Sequence, residues 1–126
     1  MKHYGFVYIL ADHKMGALYI GSTSDLLLRI LQHKNKEFPG HTSKYNIDKL
    51  VYVERYESLE YMVKRERQMK EWKRNWKLKL IIDKNPDWID LTNQVLYEYG
   101  YQQNPDYGPI YVPTDDTIVT PAKAGV

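Results

Sequence analysis

A chain of 126 residues with 43% hydrophobic and 27% charged side chains has the composition of one globular domain, long enough to bury a core. The lack of cysteine excludes disulfides, thiolate metal sites and cysteine nucleophiles, and fits a cytoplasmic location. The net charge of +2 hides an asymmetry: residues 1–79 hold 16 Lys and Arg against 9 Asp and Glu, and residues 80–126 hold 2 against 7. A basic body suits a polyanion such as nucleic acid, the plain alternative being solubility. No apolar run approaches the roughly 18–20 residues that span a bilayer. The N-terminus MKHYGFVYIL lacks the long apolar stretch and small-residue cleavage site of a signal peptide, so no membrane partner is expected.

Tyr4 to Leu10 alternates with period two and is rich in β-branched and aromatic residues, which predicts a strand. ADHKMG supplies a hairpin loop, and Ala17 to Gly21 the short return strand. A helix follows from about Asp25 to Asn35, capped by Thr23 or Ser24, with Asp25 suited to its positive end. Leu27, Ile30 and Leu31 form its expected core stripe, while Arg29 and His33 sit four apart on another face. Lys49 to Tyr56 reads as a third strand, with Leu50, Tyr52 and Glu54 on one side and Val51 and Val53 on the other. Ser58 caps a second helix expected to run from about Leu59 to Trp76, which KLKLIID can lengthen by a turn. NPDWIDL is a turn and packing segment anchored by Trp88.

The expected domain is residues 1–98. Residues 99–126, with four prolines and no helical period, read as an irregular, extended or disordered tail.

Met62, Glu66, Met69 and Lys73 fall on one helical face, which sets a carboxylate between two core-facing methionines. Such a carboxylate costs free energy unless it is paired, hydrated or bound to a metal. Eight basic residues lie between Lys64 and Lys79. Lys64, Arg67, Lys70, Lys73 and Arg74 are candidates for phosphate contacts, together with Lys44 in the His41-Thr42 loop; a solvated helix face is the alternative. Trp72 and Trp76 suit core packing better than base stacking.

Val7-Tyr8-Ile9 and Tyr19-Ile20-Gly21, followed by Arg29 and His33, resemble the GIY-YIG nuclease superfamily. KYN at 44–46, RERQMK at 65–70, Trp72 and NPDW at 85–88 extend the match, which is similar to the small stand-alone branch of predicted endonucleases and covers roughly residues 3–92. The departures are Phe6-Val7 before Tyr8, a downstream asparagine for which Asn75 and Asn85 both qualify, and the tail. The resemblance implies an α/β (α+β) fold on a three-stranded antiparallel sheet flanked by helices. It also implies a divalent-metal-dependent endonuclease acting on DNA with Mg²⁺ or Mn²⁺.

Carried onto this chain, the family's pattern makes Tyr8 the general base, Tyr19 the group that positions water or a phosphate oxygen, and Arg29 the phosphate clamp. His33 bonds a tyrosine hydroxyl or the phosphate, and Glu66 binds the metal. Lowering the Tyr8 phenol by about two pKa units would take roughly 2.7 kcal/mol of differential interaction. The mechanism requires Tyr8, Tyr19, Arg29 and His33 to face Glu66 across one concave surface. Two other readings stand beside it: a nucleic-acid-binding module with little or no catalysis, and an interaction protein whose basic helix meets an acidic partner. With no separate DNA-reading domain, sequence specificity is expected to be low or supplied by a protein partner.

Overall fold

The computed structural model describes residues 5–37, 40 and 44–95, and the expected tail falls outside them. Three strands, β1 (Gly5–Ala11), β2 (Leu18–Thr23) and β3 (Lys49–Tyr56), form one antiparallel sheet in the order β2-β1-β3. Among the described residues these helices accompany it: α1 (Leu26–Lys34), α2 (Leu59–Glu71), α3 (Arg74–Lys84) and the single turn α4 (Thr92–Val95). The fold is therefore the expected α+β sandwich.

Period-two alternation along β1 divides the core. Phe6, Tyr8 and Leu10 point to α1 and pack with Leu26, Ile30, Leu50, Val53 and Val95. Val7, Ile9 and Ala11 point to α2 and α3 and pack with Met62, Met69, Trp72, Leu78 and Ile81. Apolar side chains on both faces make β1 the centre of the molecule, and it is buried along its whole length.

Several local expectations change. The α1 cap is Asp25, whose Oδ1 accepts the Leu28 N–H at 3.2 Å; Thr23 stays in β2 and its hydroxyl oxygen accepts the Asp25 N–H at 3.0 Å. The buried stripe of α1 is Leu26, Ile30 and His33, and Leu28 and Leu31 are exposed. Rotating the stripe in this way turns His33 inward.

In β3 a register shift opposite Ile9/Leu10 breaks the alternation. Leu50 joins Val53 on the α1 side, and Val51 joins Tyr52 and Tyr56 on the other. The Asn85 amide donates to the carbonyl of Val51 at 3.1 Å and pins this irregularity.

The long second helix is two helices. Ser58 caps α2 as expected, with its Oγ accepting the Tyr61 N–H at 3.3 Å. Trp72 and Lys73 then adopt extended backbone and turn the chain into α3. No proline or glycine marks this break. Its physical reason is tertiary: Trp72 is drawn into the core, where its ring lies 4.9 Å from the Arg65 guanidinium and 5.9 Å from Trp76. Both tryptophans thus serve packing.

Candidate active site

β1 delivers Tyr8 to the α1 face, and its register partner on β2 is Gly21. Tyr19, two residues before Gly21, projects to the same face of the edge strand. The helix spacing of Arg29 and His33 brings both over these rings. Tyr8 is fully buried, His33 is 6% exposed, and Tyr19 and Arg29 are half-buried. The ring centroids of Tyr8 and Tyr19 are 6.3 Å apart, those of Tyr8 and His33 5.9 Å, and those of Tyr19 and His33 5.3 Å.

The Tyr8 hydroxyl lies 3.1 Å from His33 Nε2. Burial holds the His33 imidazole below its usual pKa, and the neighbouring Arg29 charge adds to this. In the tautomer whose proton sits on Nδ1, Nε2 accepts and the phenol is the donor. Burial also pushes the Tyr8 phenol well above the usual tyrosine range. The Tyr19 and Glu66 charges push the same way, and the charge and hydrogen bond of Arg29 only partly offset them. Arg29 favours the ionised phenol, but desolvation outweighs it.

Gly21 has a role that its motif position does not explain by itself. A Cβ there would stand 2.5 Å from the Tyr8 hydroxyl oxygen and 2.6 Å from the ring carbon that bears it. The phenol rests on bare backbone.

Glu66 does not share this face. It hangs from α2, whose buried stripe is Met62, Arg65 and Met69 rather than Met62, Glu66 and Met69. Its carboxylate accepts hydrogen bonds from Ser22 Oγ at Oε1 and from Lys70 Nζ at Oε2. Partial burial raises the Glu66 carboxyl, but the Lys70 and Ser22 hydrogen bonds and the charges of Lys70 and Arg67 hold it below the usual range. Ser22 pairs with Val7 across the sheet, on the opposite side from Gly21 and Tyr8. Ser22 follows Gly21 directly, so Glu66 meets the edge strand β2 beside the residue on which the Tyr8 phenol rests. Tyr8, Tyr19, Arg29 and His33 lie on the α1 face, and Glu66 reaches β2 from α2.

The position expected for Glu66 belongs to Arg65. Its Nε and Nη2 donate to the Glu54 carboxylate at 2.8 Å each, and the Tyr52 and Tyr56 hydroxyls donate to the same carboxylate at 2.7 and 2.8 Å. Asn85 is structural as well, since its side chain also accepts the Ile89 N–H and donates to the Ile89 carbonyl. Asn75 is exposed on α3.

Among the expected phosphate contacts, Lys44, Lys64, Arg67, Lys70, Lys73 and Arg74 are all exposed. Lys64 pairs with Glu60 at 3.6 Å, and Lys44 lies 5.4 Å from the Tyr45 ring. Arg74 is committed to the hairpin loop, where it donates to the Met15 and Gly16 carbonyls at 2.6 and 2.7 Å. His41 and Thr42 lie outside the described residues. Sequence reasoning missed Ser22. The signal was present, because alternation from Tyr19 and Gly21 directs Ser22 to the helix that carries Glu66.

Among the described residues no group of three or more His, Cys, Asp and Glu gathers. The donor set at the rim is one ionised carboxylate, which fits a Mg²⁺-type ion completed by waters and substrate phosphate. No helix among the described residues is long and apolar enough to cross a membrane.

A family model described as the GIY-YIG catalytic domain matches residues 4–79. A UPF0213 protein of Staphylococcus saprophyticus is 35% identical over 80 residues, covering 64% of this chain and 94% of that protein. A UPF0213 protein of Staphylococcus epidermidis is 36% identical over 80 residues, with the same shares of the two chains. The solution NMR structure of a UPF0213 protein of Bacillus halodurans is 24% identical, with a TM-score of 0.44 over 83% of this chain and 99% of that one.

Proposed function

Because the chain belongs to the GIY-YIG catalytic-domain family, we propose that it is a divalent-metal-dependent endonuclease hydrolysing phosphodiester bonds in DNA. The observation that carries this reading is the contact of the buried Tyr8 hydroxyl with His33 Nε2 beneath Tyr19 and Arg29. Hydrolysis needs a proton acceptor for water and neutralisation of the phosphate charge. The water oxygen bonds to phosphorus as the bond from phosphorus to the leaving oxygen breaks; Tyr8 takes the water proton as it passes its own to His33 Nε2, and the leaving oxygen takes up a proton from solvent. The phenol never has to persist as a phenolate, so its raised pKa does not bar the step. Tyr19 orients the water or a phosphate oxygen, and the planar fork of Arg29 binds the scissile phosphate.

Glu66 would hold the metal, with Ser22 orienting its carboxylate. The metal, Mg²⁺ or Mn²⁺, would supply charge stabilisation and a more acidic bound water. Glu66 bonds Ser22 on the edge strand β2, next to the Gly21 that supports the Tyr8 phenol, and this adjacency supports a shared site. Arg67, Lys70 and Lys73 face solvent from α2 and its junction with α3 and would follow the phosphate backbone.

A second reading, a nucleic-acid-binding module with little or no catalysis, is favoured by the protonated, fully buried Tyr8. A cleavage assay over duplex, branched and single-stranded substrates, with Mg²⁺ or Mn²⁺, separates the two. The nuclease reading expects nicking that Glu66→Ala and Tyr8→Phe abolish in folded protein. Salt-dependent binding that survives both substitutions, with no cleavage by the parent, establishes the binding module instead.

A further inference from the structure

We propose that Lys70 serves as an internal cation for Glu66, exchanging places with the divalent metal as nucleic acid binds, so that metal and nucleic-acid binding reinforce each other. The inference rests on Glu66 being the metal ligand and adds how that site is loaded.

Both oxygens of the Glu66 carboxylate are occupied, by partners of different kinds. Ser22 is neutral, sits on a strand and bonds Oε1. Lys70 is charged, lies one helical turn on and bonds Oε2. The Glu66 side chain is 19% exposed and that of Lys70 is 51% exposed, so the carboxylate is fixed and the ammonium can leave. A divalent ion at Oε2 meets a like charge there and must displace it. Ser22 can remain and keep the carboxylate oriented.

The neighbouring cations do not substitute for Lys70. Arg67 acts on Glu66 through its charge alone. Arg74 is held by the hairpin carbonyls, and Lys77 donates to the Lys70 carbonyl at 3.4 Å. A phosphate arriving on this surface offers Lys70 a new partner and vacates Oε2. The metal that takes its place releases Lys70 to the phosphate. Linkage makes the two effects equal in size.

The test is Mn²⁺ binding to the full chain, followed by electron paramagnetic resonance, with thermal melts as the folding control. In the absence of DNA, Lys70→Gln tightens Mn²⁺ binding roughly fivefold, the scale of a part-exposed ion pair. Lys70→Arg does not, and Arg67→Gln gives a smaller gain because it removes charge without freeing an oxygen. In a Tyr8→Phe background, duplex DNA tightens Mn²⁺ binding, and Lys70→Gln removes most of that coupling. Unchanged affinity in Lys70→Gln, a gain no larger than that of Arg67→Gln, or undiminished DNA coupling overturns the exchange. Undiminished Mn²⁺ binding by Glu66→Gln overturns the ligand assignment itself, a separate failure.

Discussion

Gly21 and Tyr8 are register partners on adjacent strands, and the phenol of Tyr8 folds over Gly21 where a methyl group would stand 2.5 Å from its oxygen. The glycine is therefore steric support for the tyrosine. Gly21→Ala must move a buried ring that packs against Phe6, Leu10 and Ile30. Overpacking of this kind costs about 1–3 kcal/mol. The expected outcome is a folded protein of lower melting temperature whose cleavage falls by at least ~10²-fold, the scale of losing an aligned general base. Measuring both quantities checks it, and full activity in Gly21→Ala removes the steric role.

The Tyr8–His33 contact also sets a pH dependence. His33 must be neutral to accept the phenol proton, and burial with the Arg29 charge lowers its pKa. Cleavage should rise with pH through a value below the ordinary histidine value of about 6.5 and then level off. Stability follows with the same sign. The unfolded chain takes up the proton near pH 6.5, whereas the folded chain takes it up only at lower pH, so stability falls as pH drops through that window. Rate profiles and urea midpoints from pH 5 to 8 test both, with His33→Gln expected to flatten the stability change. A rate independent of pH across this range counts against His33 as acceptor.

The elements of this fold were legible where β-prone apolar runs were bounded by polar residues. β1, with one apolar set per face, and β3, bounded by polar residues, stand within a residue of their expected limits. Tyr8, Tyr19, Arg29 and His33 come together because strand and helix periods place them together. What the sequence concealed was tertiary. The break at Trp72 arises from burial of an indole against Arg65, with no local breaker. Glu66 and Arg65 are adjacent in sequence, and which of them enters the core depends on Glu54, eleven residues away on β3. A helical wheel alone cannot choose between a buried arginine and a buried glutamate when the partner lies on another element.

The exposed cations of α2 and its junction with α3 give a graded prediction. Arg67 and Lys73 face solvent, so each is available to a phosphate. Arg67→Gln and Lys73→Gln should each weaken binding across all sequences and reduce the salt slope by about 1. Arg74 differs, because it fastens α3 to the hairpin loop. Arg74→Gln should lower thermal stability as well as affinity. Fluorescence anisotropy titrations between 50 and 200 mM salt, paired with melts, distinguish the two kinds of cation.

The buried pair of Glu54 and Arg65 supports the helix that carries Glu66. Glu54 is 0% and Arg65 5% exposed, and the carboxylate also receives two tyrosine hydroxyls. Removing one member strands the other charge in the core, a change that costs about 3–5 kcal/mol. Arg65→Met should therefore destabilise strongly in denaturant titrations, and so should Glu54→Gln, because its single amide oxygen replaces two acceptors, its nitrogen faces donors, and the guanidinium is left without a counter-charge. The double replacement Glu54→Leu with Arg65→Met should recover much of the loss, since two apolar side chains leave no uncompensated charge. Equal costs for the single and double replacements would show that packing by the arginine stem, rather than the ion pair, holds α2 against the sheet.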